Sequence, residues 1–364
     1  MKTLSSTFEK GFLEKLGDSW EDTTQGLVIQ AYSKGRKIVD VEIGRTYERY
    51  DLASLTKILF TTTSFMCLYD EKRFRLNDPV SRWVPWFPES HPARLKDLLT
   101  HSAGLTWWYP FYKTLAPTTA KVKSPEEAWE IFQSVLKRKV LADLGKNPVT
   151  WPVEKSIYSD LDYFLLGVAL ESITGSTLYT AWANLRDRLE LNGLDFNRCN
   201  KPKYARSSYA PTEKDKWRGK TLQGEVHDEN TWALKGVAPH AGLFGRIDDV
   251  SGYGLLMRAA MRGHGSSIFP SAKTVSRFTK RSVPRARGDW AIGYVMPSKS
   301  GSTAGPMFSL KSVGHTGFTG TSLWYDPARD LLVTVLSNRV HPTRENTAFQ
   351  KLRPQIHTWI ADAL

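Results

Sequence analysis

Ser54 and Lys57 stand three residues apart in the segment Tyr50-Asp51-Leu52-Ala53-Ser54-Leu55-Thr56-Lys57-Ile58. Residues at i and i+3 share a helical face, so the lysine amine can reach the serine hydroxyl. A serine hydroxyl is a weak nucleophile until a neighbouring base takes its proton. Lysine serves as that base when burial or a nearby cation disfavours its charged form. The pattern alone is common, arising about once or twice by chance in a chain of this length. A second copy is present at Ser134-Val135-Leu136-Lys137.

The elements around each copy tell them apart. Ser134 lies within Glu127 to Arg138, whose apolar spacing predicts an amphipathic helix, and reads as a residue of its outer face. Ser54 follows two strand-like runs, Gly26 to Tyr32 and Lys37 to Gly44, separated by a turn at Ser33-Lys34-Gly35-Arg36. A long apolar helix follows it, through Leu59, Phe60, Phe65, Met66 and Leu68. A serine at such a junction is either a nucleophile or an N-cap.

Two further segments favour the nucleophile: Ser156-Ile157-Tyr158-Ser159-Asp160-Leu161-Asp162-Tyr163 and Val313-Gly314-His315-Thr316-Gly317-Phe318-Thr319-Gly320-Thr321. In this order the three segments resemble the active-site boxes of serine β-lactamases and penicillin-binding proteins: S-x-x-K, then Y-x-N or S-D-N, then K-T-G. The tyrosine points to the branch of class C β-lactamases, D,D-peptidases, D-aminopeptidases and β-lactamase-fold esterases. The flanking runs Leu98 to Leu105, Leu165-Leu166-Gly167, Gly224 to Asn230 and His240 to Phe244 are similar to landmarks of the same superfamily. The resemblance extends from about Gly26 to the C-terminal helix.

The resemblance implies that Ser54 attacks an acyl carbon, that Lys57 accepts or relays its proton, and that Tyr158 shares the relay with its phenolate favoured by Lys57. Backbone N–H groups of Ser54 and Phe318 would form an oxyanion hole. His315, Thr316 and Gly317 would line the third side against the substrate. Read singly, a tyrosine such as Tyr158 also fits a core role, and a glycine-rich strand end also fits a turn.

Two positions depart from the family pattern. Asp160 stands where the second box often has asparagine, which places a carboxylate near Lys57, stabilises its ammonium, shifts the base role toward Tyr158 and would repel an anionic substrate. His315 stands where the third box has lysine, exchanging a permanent charge for one that titrates near neutrality. Both argue against efficient β-lactam hydrolysis. The His-x-Gly box is more similar to those of D-aminopeptidases and peptidase-like hydrolases of the superfamily.

Length and composition set the frame. At 364 residues and 41% hydrophobic content the chain can bury a substantial core. The expected fold is α+β: an antiparallel sheet flanked by helices plus a mostly helical lobe, β-lactamase/transpeptidase-like. Residues 1–77 and 232–364 would form a discontinuous lobe holding the Ser54 and His315 boxes, and residues 78–231 a helical lobe holding Tyr158. The expected C-terminal strands are Ala291 to Met296, Met307 to Gly314, Thr321 to Tyr325 and Leu331 to Ser337, before a helix from about Arg344. An N-terminal amphipathic helix is expected from Leu4, Phe8, Phe12, Leu13 and Leu16. No run of 18 apolar residues predicts a membrane span. No signal-peptide h-region is evident; if Met1 is the native start, the expected location is the cytoplasm, the alternative being the periplasm. Cys67 and Cys199 read as reduced thiols, not a disulfide framework.

The net charge of +13 is dispersed, with short clusters at Lys137-Arg138-Lys139 and Arg281 to Arg287 and no nucleic-acid module signature. It fits a solvated basic surface or attraction for small anionic substrates, and no nucleic-acid partner is expected. Trp107, Trp108 and Tyr109, in the run ending at Tyr112, are either a substrate wall or interhelical packing. His227, Asp228 and Glu229 have metal-ligand side chains, but consecutive residues in an extended segment point apart, so no metal and no cofactor is expected. Arg339, after the last strand with Asn338 and His341, can bind a substrate carboxylate or cap the fold. The function expected is a serine hydrolase acting through an acyl-enzyme on a small amide, peptide (D-amino-acid-containing ones included) or ester. The alternatives are a carboxylesterase and a catalytically silent penicillin-binding-like module that recognises peptidoglycan fragments.

Overall fold

The computed structural model describes residues 2–146 and 150–364. The two predicted N-terminal strands form a hairpin, Gly26–Ser33 and Arg36–Gly44. The first strand pairs on its other side with the last strand, Leu331–Ser337, in antiparallel register from Leu27 opposite Ser337 to Ser33 opposite Leu331. Strands Ser322–Asp326 and Val313–Thr316 complete a five-stranded sheet. The second strand alternates exposed and buried positions, as an edge does, whereas the first and last are buried along their length.

That burial has two sources. Leu27, Ile29 and Ala31 pack with Phe12 and Leu16 of the N-terminal helix and with Phe349, Leu352, Ile356 and Ile360 of the C-terminal helix Ala348–Asp362. The alternate residues Val28 and Tyr32 join a larger core with Val250, Tyr253 and Met257 of helix Ile247–Met261. Of the predicted N-terminal apolar stripe, Phe12 and Leu16 are buried and Leu13 is exposed; the side chains of Leu4 and Phe8 lie outside the described residues.

Two expected strands differ. Ala291 to Met296 is not a strand: its apolar run is met only by isolated bridges at Trp290, Ala291 and Val295. The run expected from Met307 becomes extended only at Val313. The stretch 78–231 is largely helical, including Pro125–Lys146 with Ser134 exposed, but it also carries strands Asp195–Phe196, Pro211–Asp215 and Lys220–Gln223. Cys67 and Cys199 are free thiols. Among the described residues no helix is long and apolar enough to cross a membrane.

Candidate active site

Ser54 sits on a constrained turn. Strand Tyr50–Asp51 pairs with Leu243–Gly245, and the Leu52 N–H donates to the Leu243 carbonyl at 2.9 Å. Ala53 then adopts φ +46°, a region non-glycine residues rarely occupy, with its N–H bonded to the Asp51 carboxylate at 2.8 Å. The third box braces the same turn: Thr319 and Thr321 hydroxyls donate to the carbonyls of Asp51 and Leu52. A side chain at Gly317 would meet the Leu52 carbonyl at 2.7 Å, so only glycine lets the two backbones come this close.

The helix after Ser54 opens as a π-turn over Lys57–Thr62 before continuing as α-helix Thr63–Asp70. Lys57 is fully buried, and its ammonium donates to Ser54 Oγ at 3.2 Å, Asp160 Oδ1 at 2.8 Å and the His240 carbonyl at 3.2 Å. Burial alone would lower its pKa, but attraction to Asp160 and Tyr158 outweighs burial and leaves it above the ordinary lysine range.

Tyr158 donates its hydroxyl to Ser54 Oγ at 2.9 Å. The ring edge is open to the cleft while the hydroxyl is turned inward. Burial raises the phenol, Lys57 pulls it down and Asp160 pushes it up, with a net rise. Lys57 thus favours the phenolate as expected, but burial, with a smaller push from Asp160, outweighs it and keeps the phenol form favoured.

The Tyr158 loop is fixed from both sides. Ile157 N–H donates to the His101 carbonyl and Ser159 N–H to His101 Nδ1, both at 3.0 Å. The His101 ring lies 4.7 Å from that of Tyr158, and Trp290 stacks on Tyr158 at 6.1 Å. The Ser159 hydroxyl caps helix Asp160–Thr174, so Asp160 occupies the positive end of the helix.

His315 and Thr316 end their strand at the cleft, as expected, but the charge of His315 is not as expected. It is 2% exposed, and burial, aided by Lys57, lowers its pKa to about 3, so the imidazole is neutral at physiological pH. Its Nδ1–H donates to the Thr316 carbonyl at 2.9 Å and leaves Nε2 without a partner. Phe318 follows at the rim, half-exposed, with the Arg339 guanidinium 4.6 Å above its ring. Among the described residues the backbone N–H groups of Ser54 and Phe318 carry no protein acceptor.

Together these groups line a cleft of about 630 Å³. Its third-box wall contains two buried cations, Arg339 at 2% and Arg353 at 7% exposed. Among the described residues neither forms an ion pair with a carboxylate. Arg353 Nη1 donates to the carbonyls of Gly317 and Thr321 while its Nε has no partner, and Arg339 donates to the Asn346 carbonyl at 2.8 Å. Burial, aided by Arg339, pulls Arg353 down to about 9; burial, aided by Arg344 and only partly opposed by Glu213, pulls Arg339 down to about 10. Arginine stays charged at neutral pH, so both cations would gain from an anion placed in the cleft.

The remaining predicted residues divide. Trp107 and Trp108 line the cleft. Tyr109 does not: its ring packs on Phe111 at 4.9 Å beneath Lys139, and its carbonyl accepts from Asn230 at 2.9 Å. His227, Asp228 and Glu229 bond apart, to Glu213, His240 and Arg344. Donor atoms of Asp160, Asp228 and His240 do lie within 4.8 Å of one another, but the Lys57 ammonium already holds Asp160. Asn338 and His341 serve the fold through bonds to Pro211 and Thr212 carbonyls. Sequence reasoning missed Arg353, Trp290 and the roles of His101 and His240. A signal for Arg353 existed: an arginine within the apolar stripe Phe349, Leu352, Ile356, Ile360 of the last helix.

Comparison with known proteins agrees with this architecture. The profile of the Beta-lactamase family matches residues 12–354. Among curated proteins, the chain is 30% identical over 355 residues to a "Putative D-alanyl-D-alanine carboxypeptidase" of Salmonella gallinarum, across 88% of this chain and 77% of that protein. The corresponding Salmonella typhimurium protein gives the same identity and coverage. Among solved structures, EstCE1, a hydrolase with promiscuous acyltransferase activity, superposes with a TM-score of 0.67 at 19% identity, covering 99% of this chain and 98% of that one. A D-stereospecific amidohydrolase from Streptomyces gives 0.63 at 18% identity, over 91% and 94%. The chain belongs to the beta-lactamase family of serine hydrolases.

Proposed function

We propose that this protein is a serine acyl hydrolase that forms an acyl-enzyme on Ser54 and cleaves small peptides or amides ending in a free carboxylate. The observation that carries the reading is Ser54 Oγ, which receives hydrogen bonds from both Lys57 and Tyr158. Loss of one proton from that coupled pair supplies the acceptor for the Ser54 proton. Oγ then bonds to the acyl carbon, the oxyanion turns to the free N–H groups of Ser54 and Phe318, and the pair returns the proton to the departing amine. Water enters by the reverse sequence and releases the acid.

Arg339 and Arg353 favour a carboxylate-bearing substrate over a neutral ester, because an anion relieves two buried unpaired charges. The named activities of the Salmonella carboxypeptidases and the Streptomyces amidohydrolase are consistent with an amide substrate.

The test is p-nitrophenyl acetate turnover by wild type and Ser54→Ala, followed by release of D-alanine from acetyl-D-alanyl-D-alanine. Loss of both activities in the alanine variant is expected. Turnover that survives in Ser54→Ala removes Ser54 as nucleophile, and equal negligible rates in both proteins support the silent recognition module instead.

A further inference from the structure

Beyond the cleft, the aromatic residues continue. Trp107 and Trp108 stand 5.7 Å apart, Trp108 lies 6.5 Å from Tyr112, Tyr112 lies 4.6 Å from Trp217, and Trp217 lies 5.3 Å from Trp232. The first two rings line the catalytic cleft; the last two line a second cavity of about 420 Å³. Trp107 is 62% and Trp217 42% exposed, so both indole faces are open to a ligand.

The row is held in place. Asn230 accepts from the Tyr112 N–H and donates to the Tyr109 carbonyl, both at 2.9 Å, and Trp232 Nε1 donates to Glu225. The second cavity is cationic: Arg218, Lys220 and Lys235 line it and no carboxylate does. Arg218 is consumed by Asp215 and two carbonyls, and Lys220 by Glu225, whereas Lys235 has no ion-pair partner among the described residues.

We propose that this aromatic row and the Lys235 cavity form an extended subsite for the acyl-side arm of the substrate, an acidic peptide. The inference rests on the hydrolase reading above and adds which substrates it prefers. Direction follows from the two walls. The carboxylate end meets Arg339 and Arg353 at the third box, whereas Trp107 is tied to the opposite wall by the Asp160 N–H at 2.9 Å. The arm leaving Ser54 on that side is therefore the acyl arm. An extended chain advances about 3.3–3.6 Å per residue, so one to two residues span each gap between successive rings of the row. Rigid aromatic faces bind such a chain at small entropic cost, and the lysine selects its charge.

Three probes test this: acetyl-D-Ala-D-Ala, the same dipeptide preceded by Glu-Glu-Glu-Ala, and the same preceded by Lys-Lys-Lys-Ala. In wild type, kcat/KM for the glutamate peptide is expected to exceed that for the lysine peptide by about tenfold. Trp217→Ala and Lys235→Glu should each remove about fivefold of the glutamate-peptide value and leave acetyl-D-Ala-D-Ala within about twofold. Equal rates for the two charged peptides, or equal losses on short and long substrates, overturn the subsite. Calorimetric binding to Ser54→Ala separates this from the chemistry. Tryptophan- and lysine-dependent binding without wild-type turnover overturns the hydrolase reading only; turnover indifferent to both substitutions overturns the subsite only.

Discussion

The two walls of the cleft handle charge in opposite ways. On the Tyr158 wall, among the described residues, the Lys57 ammonium meets Asp160 at 2.8 Å and the Asp228 carboxylate is hydrogen-bonded to His240 at 3.2 Å. On the His315 wall the imidazole is neutral, and among the described residues the buried guanidiniums of Arg339 and Arg353 bond carbonyls and form no ion pair. A compensated wall holds protons in place and resists change, which suits the reacting groups. An uncompensated wall is unsatisfied until a ligand arrives, which suits recognition. On the proposed hydrolase reading, the departures at Asp160 and His315 divide the labour between the two sides.

Four substitutions sharpen or break that contrast. Tyr158→Phe, which removes one of the two partners of Ser54 Oγ, should lower kcat/KM by about 10²–10⁴ on ester and peptide alike, with little change in thermal stability. Arg353→Met should lower kcat/KM for acetyl-D-Ala-D-Ala by about 10- to 100-fold and spare p-nitrophenyl acetate, because only the peptide carries the anion. Equal losses on both substrates would show that Arg353 merely supports Gly317.

Asp160→Asn tests the compensated wall through pH. The raised pKa values of Lys57 and Tyr158 keep both groups protonated, so wild-type kcat/KM rises with pH into the alkaline range. Removing the carboxylate lets burial dominate Lys57 and takes away one of the influences raising Tyr158. The rising limb should then move to lower pH by about one unit or more, and activity at pH 7 should increase. A limb that stays in place would free Asp160 of that role. His315→Asn should have the smallest effect on profile shape: a group with a pKa of about 3 contributes no limb between pH 5 and 8.

The local part of the site was legible in the sequence because it depends on short spacings. Ser54 and Lys57 are three residues apart, Tyr158 and Asp160 flank a serine that caps a helix, and Gly317 occupies a position that no side chain fits. What was not legible depends on burial by distant segments. His315 is a titratable residue in sequence and an uncharged one in place, since Lys57 and the surrounding core suppress its protonation. Tyr109 looks equivalent to Trp107 and Trp108 in sequence, yet its ring packs on Phe111 instead of lining the cleft. Ala291 to Met296 has a strand's composition but meets only isolated bridges. The sheet itself was foreseen as joining both ends of the chain, and strands Gly26–Ser33 and Leu331–Ser337 do pair.

That pairing has a consequence in time. The turn carrying Ser54 is braced by Thr319, Thr321 and Gly317, and the sheet beneath it closes only with strand Leu331–Ser337. During synthesis at about 5–20 residues per second, some 15–60 s elapse between the emergence of Ser54 and that of its final supporting strand. Until then the turn that sets Ser54 beside Lys57 lacks its brace, and on the proposed reading the nascent chain has no assembled nucleophile.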